Sequence, residues 1–90
     1  MKTNLKQINR ILKALANERR LRILNYLLEE KLATVSEISE NINLSFKSTS
    51  GHLIILERVG LVDRQPRGPY VFYSPDKERK NLLNFILKTT

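Results

Sequence analysis

Ninety residues allow one small domain with one modest core, and the lack of any cysteine excludes disulfides, a thiol redox switch and thiolate metal ligation. Sixteen Lys/Arg against nine Asp/Glu leave a formal net charge of +7, which favours a polyanionic partner, nucleic acid before anionic membrane, through counterion release. No apolar run approaches the ~20 residues of a membrane span, and MKTNLKQINRILK is too interrupted by polar groups for a signal peptide, so a cytoplasmic protein without a membrane role is expected.

The charge is unevenly placed. Residues 1–22 carry seven Lys/Arg against Glu18 alone, whereas residues 23–44 carry Lys31 against four glutamates. From Leu5, apolar residues recur at Ile8, Ile11, Leu12 and Leu15, the period of an amphipathic helix whose other face shows Lys6, Arg10 and Lys13. Asn17 is an N-cap for a second helix, with Glu18 near the positive end of its dipole. Leu21, Leu24 and Leu28, flanked by Ile23 and Leu27, make that helix apolar over much of its circumference. It should be the central core helix and end around Glu30.

Thr34 followed three residues later by Glu37 is a capping-box start for a short third helix ending near Asn41, with Val35 and Ile38 as its narrow apolar edge. Ser45 offers another N-cap, and a fourth helix should run to Val59 before Gly60 supplies a left-handed terminator. On it, Thr49, Leu53 and Leu56 share the inward face, which leaves Lys47, Ser50, Gly51, Ile54 and Arg58 outward. Small polar and basic side chains at the start of an exposed helix suit the major groove, so the pair reads as a helix-turn-helix.

Leu61-Val62-Asp63-Arg64 and Tyr70-Val71-Phe72-Tyr73 are β-prone runs separated by Gln65-Pro66-Arg67-Gly68-Pro69, which predicts a hairpin with a stiff tip and Arg67 at its apex. Pro69 requires its strand to lie at an edge or to begin after it. Ser74 is placed to cap a last helix with Pro75 at its first position and Asp76 and Glu78 in its first turn. Leu82, Leu83, Phe85, Ile86 and Leu87 crowd that terminus beyond what a small monomer readily covers, so the helix should pack on the first helix and on a second subunit.

The run ALANERRLRIL at residues 14–24, continued by SEISENINLSFKSTSGHLIILERVGLV and YVFY, resembles the arsenic-repressor (ArsR) family of winged-helix regulators over roughly residues 5–75. The resemblance implies a homodimer on a palindromic operator in double-stranded DNA, repression by blocking polymerase access, the hairpin as a wing, and terminal helices as the dimer interface. Many members of that family sense metals through cysteines that fall, by register, at Thr34 and Ser36 of this chain, where neutral hydroxyls are poor ligands. Two departures stand out: Ile54 occupies a position often polar or basic in the family, and Gly51 lies inside the reading helix, at a cost of ~1 kcal/mol relative to alanine. Phe46, near the start of that helix, can touch a thymine methyl or pack beside Thr49.

The expectation is therefore a mainly α fold with a small β-hairpin, a winged helix-turn-helix of order α-α-α-α-β-β-α. It forms a single domain over residues 1–90, with terminal helices at about 4–16 and 75–88 forming the dimer interface. DNA contacts are assigned to Ser45, Lys47, Ser48 and Ser50 on the reading helix and to Arg64 and Arg67 on the wing. No cofactor, no metal site and no catalytic residue is expected, because His52, the only histidine, has no cysteine and no nucleophile motif beside it. The rival readings are a winged-helix protein-interaction module and a regulator responsive to an organic ligand held between subunits.

Overall fold

The computed structural model describes residues 4–88; residues 1–3, with the Lys2 counted in the basic N-terminal segment, and 89–90 lie outside the described residues. Asn4 accepts from the Gln7 amide at 3.0 Å and starts α1 (Leu5–Leu15), which buries Ile11, Ala14 and Leu15. Asn17 repeats the device for α2 (Glu18–Glu30), accepting from the Arg20 amide at 3.1 Å. As the apolar circumference of its sequence predicts, α2 is the central helix: Ile23, Leu24 and Leu27 have no exposed surface, and α1, α3, α4, α5 and the sheet all pack on it.

Past Lys31, whose φ of 72° makes the turn that a glycine more commonly makes, Ala33–Thr34 forms a short strand, β1, before α3 (Val35–Ile42) and α4 (Phe46–Arg58). The α4 terminus is built as the sequence indicated. Gly60 adopts φ +76°, its N–H donates to Glu57 O and that of Leu61 to Leu56 O, and the two fully buried leucines close the motif. Strands β2 (Val62–Arg67) and β3 (Tyr70–Pro75) follow, then α5 (Lys80–Leu87).

The sheet has three strands in the order β1-β3-β2, all pairs antiparallel, so the expected order gains a strand. Ala33 pairs with Tyr73 and Thr34 with Phe72; two residues carry no periodicity, and only their position beside β3 makes them a strand. The hairpin differs in a second respect. Gln65, Pro66 and Arg67 continue β2 and pair with Phe72, Val71 and Tyr70, which confines the tip to Gly68, at φ +60°, and Pro69. Positive φ at the first of two tip residues is what a tight hairpin needs, and Pro66 is tolerated because β2 is an edge strand. Arg67 is thus the last residue of the strand, beside the apex rather than on it.

The last helix starts later than its local signal suggested. Pro75 pairs with Val62 and Ser74 with Asp63, so the ladder extends through both residues, and the Ser74 hydroxyl accepts from Gln65 Nε2 at 2.8 Å instead of capping a helix. Asp76 takes over, its Oδ2 accepting from the amides of Glu78 and Arg79 at 3.0 Å each, one turn before α5. Leu83 is the buried anchor of α5, whose main neighbour is α2 rather than α1.

Candidate nucleic-acid interface

The two-helix unit is held by hydrogen bonds that the sequence partly announced. The Glu37 amide donates to Thr34 Oγ1 at 3.2 Å and the Thr34 amide to Glu37 Oε1 at 2.9 Å, a complete capping box. Asn43, at φ 54°, ends α3 and sends the chain into Ser45, whose Oγ accepts from the Ser48 amide at 3.1 Å and starts α4. The fully buried Thr49 hydroxyl donates to Ser45 O at 2.8 Å, so the polar group on the inward face is satisfied.

Two arginines that sequence spacing could not single out fix this unit to the rest of the molecule. Arg22 Nη2 donates to Ile42 O at 2.8 Å, tying α2 to the end of α3. Arg20 Nε donates to Ala14 O at 2.6 Å and Nη2 to Lys13 O at 3.3 Å, while Nη1 lies 3.4 Å from His52 Nδ1 on α4. One guanidinium thereby joins the end of α1, the start of α2 and the middle of α4. A motif such as NERR shows basic residues, but the partners lie up to 32 residues away.

A guanidinium has no acceptor, so the contact needs an unprotonated Nδ1 on His52. Burial, then the charges of Arg20 and Arg19, lower the His52 pKa from its ordinary 6.5. The folded chain therefore binds fewer protons at this ring than the unfolded chain between the depressed pKa and 6.5. Its contribution to stability is full above that window, falls as pH drops through it and levels off below. In Arg20→Gln, NMR titration should show His52 protonating at higher pH than in the parent while still below a free histidine, because burial, the larger cause, remains.

Of the residues assigned to DNA, Ser45, Lys47 and Ser48 sit exposed on the cap and first turn of α4. Ser50 is half-buried and, with Arg64 of β2, lines a groove of about 760 Å³ between α4, the start of α3 and the hairpin. Phe46, Ile54 and Tyr70 share that groove at 57%, 42% and 61% exposure, so Phe46 faces solvent rather than packing away beside Thr49. Arg67 stands apart near the hairpin tip, its Nη2 donating to Gln65 Oε1 at 3.0 Å and its guanidinium carbon 5.6 Å from the centre of the Phe72 ring. Among the described residues only Lys88 and Glu29 form an ion pair, at 3.6 Å, so the cationic groups of α1, α4 and the wing are not spent on internal carboxylates.

No group of three or more metal-ligating side chains occurs among the described residues. The Thr34 hydroxyl is committed to Glu37 Oε1 at 3.0 Å, and the Asp76 carboxylate to two backbone amides. Titration with zinc or cadmium, followed by calorimetry and a DNA-binding assay, should accordingly show no release of DNA; stoichiometric submicromolar uptake that frees DNA would contradict it.

The family described as "Bacterial regulatory protein, arsR family" matches residues 17–64. The chain is 47% identical over 64 residues to the transcriptional activator HlyU of Vibrio cholerae, a stretch that spans 71% of this chain and 58% of HlyU. It superimposes on the structure of HlyU from Vibrio cholerae N16961 with a TM-score of 0.85 at 37% identity, covering 98% and 96% of the two chains. It is 33% identical over 86 residues to the transcriptional repressor SdpR of Bacillus subtilis, covering 90% of this chain and 94% of that one. A homodimeric winged helix-turn-helix DNA-binding domain from Mycobacterium bovis, described as a possible ArsR-family regulator, matches with a TM-score of 0.85 at 31% identity, over 91% of this chain and 76% of that one.

Proposed function

We propose that this chain, which belongs to the arsR family of bacterial regulatory proteins, binds palindromic duplex DNA as a homodimer and acts as a repressor by occluding the promoter. It is a DNA-binding transcriptional regulator. The observation that carries the proposal is the pairing of a doubly capped helix-turn-helix with exposed cationic groups that have no carboxylate partners among the described residues. In this reading α4 enters the major groove, Lys47, Ser48 and Ser50 meet base edges, Ser45 meets a phosphate, and Arg64 and Arg67 serve the backbone or minor groove beside the wing. The single domain spans the chain, with α1 and α5 forming the subunit interface. Catalysis has no part in it, and the cytoplasm, where the chromosome lies, is its site of action.

Backbone and base contacts fail differently when removed. Arg67→Ala should weaken operator and scrambled duplex alike and lower the log–log salt slope by about one. Lys47→Ala and Ser50→Ala should concentrate their loss on the operator, on the order of 1–3 kcal/mol for a good base contact. Titrating the three variants on both duplexes over a salt series checks this. An unchanged operator-to-scrambled ratio for Lys47→Ala and Ser50→Ala, together with an inert Arg67→Ala, would remove α4 and the wing from the interface.

A further inference from the structure

Phe46, Ser50 and Ile54 follow one another at intervals of four, so they share one side of α4. All three line the groove facing the wing. Phe46 and Ile54, with Ile55 also exposed beside Ile54, hold large apolar side chains out on α4, which marks a surface that is covered in the working state. Lys47 is exposed on the same helix and Arg64 across the groove, while two carboxylates, Glu37 of α3 and Glu57 just beyond Ile54, also line it. With α4 as the DNA-reading helix, the occupant of this face is the major groove of a duplex, whose walls are phosphates and whose only apolar feature is the C5-methyl of thymine. Eight residues of α-helix separate Phe46 from Ile54 by about 12 Å, the reach of three to four base pairs at ~3.4 Å each.

We propose that Phe46 and Ile54 select thymine in the operator by apolar contact with its C5-methyl group, with Ser50 facing a base edge between them. The inference rests on α4 being the DNA-reading helix, and it adds which bases that helix reads and by what force. Hydrogen bonding is not the discriminating contact at these two positions, because neither side chain can donate or accept. Cytosine, which lacks the methyl, is rejected for want of contact; adenine is placed by pairing on the opposite strand.

The test uses the full chain and a duplex that it selects from a random-sequence duplex library, resynthesised with deoxyuridine replacing each thymine in turn. The exchange deletes one methyl and leaves every hydrogen-bonding group in place. Two positions in each half-site should respond, each losing roughly fourfold in affinity, the worth of one methyl-sized group withdrawn from water. Phe46→Ala should abolish the response at one position and Ile54→Ala at the other, with binding to unselected duplex within about twofold of the parent's, since phosphate contacts are untouched. Both side chains are exposed, so the variants should fold, and the deoxyuridine series on the parent needs no variant. A selected duplex indifferent to deoxyuridine throughout, or variants that keep both responses, would overturn the inference and leave α4 as a polar reader. Failure to enrich any sequence would sink the DNA-binding reading and this inference together.

Discussion

Replacing Phe85 by aspartate should split the proposed dimer into folded monomers and lower operator affinity by about a hundredfold or more, because each half-site would then be bound without the effective concentration that linkage supplies. Phe85 is 73% exposed on α5, and Leu82 beside it 40%; on α1, Leu5, Ile8 and Leu12 stand at 73%, 43% and 58%. These are large side chains left in water by a molecule that hides sixteen other hydrophobic residues in its core, which is the pattern of a surface completed by another copy. A two-fold interface repeats the substitution, so two carboxylates would be driven into apolar surroundings without partners, at a cost on the order of 3 kcal/mol or more. Ile86, the neighbouring position, is the wrong probe, since it packs against the monomer's own core and its loss would confound folding with assembly. Sedimentation of Phe85→Asp at micromolar concentration, with circular dichroism to verify the fold, is decisive; an intact dimer would place the interface elsewhere.

Leu53→Ala should lower the stability of the domain by about 2–5 kcal/mol, the range for a buried leucine truncated in a core that cannot fully collapse. Leu53 has no exposed surface and lies on the inward face of α4 with Thr49 and Leu56, also fully buried. For a chain of this size each kcal/mol corresponds to roughly 4–8 °C in melting temperature, so a fall of at least about 8 °C is expected in calorimetry. Operator affinity measured well below the new melting temperature should change far less. A melting shift of only a degree or two would mean that the helix is not anchored by this face.

The helices were legible because their signals are local. Asn17, Thr34 with Glu37, Ser45 and Gly60 announce termini within three residues of where they act, and the spacing of Thr49, Leu53 and Leu56 sets the inward face of α4 without reference to anything distant. The elements misjudged are those decided by partners far along the chain. Ser74-Pro75-Asp76 is a sound local helix start, yet Ser74 and Pro75 find strand partners in Asp63 and Val62, and the ladder outweighs the cap. Pro66 looks like loop until β2 is known to be an edge. At the candidate interface, the exposed position of Lys47 follows from helical spacing. The apolar groove does not, because Phe46 and Tyr70 approach one another only after the hairpin folds back towards α4. Arg20 is the extreme case: its role consists wholly of contacts with α1 and α4.

Strand β1 gives the wing a fulcrum. Thr34 pairs with Phe72, midway along the central strand, and the same residue caps α3 through Glu37. The hairpin beyond that point is a lever arm with one side, β2, open to solvent and its tip at Gly68 and Pro69. In the proposed complex, a phosphate pulling on Arg67 would act through this arm on the first turn of α3, and from there on α4, which packs upon it. Wing and α4 are thus coupled both through Thr34 and by the direct packing of α4 on β2, so in the proposed complex the angle at which one seats on the duplex would constrain the angle available to the other.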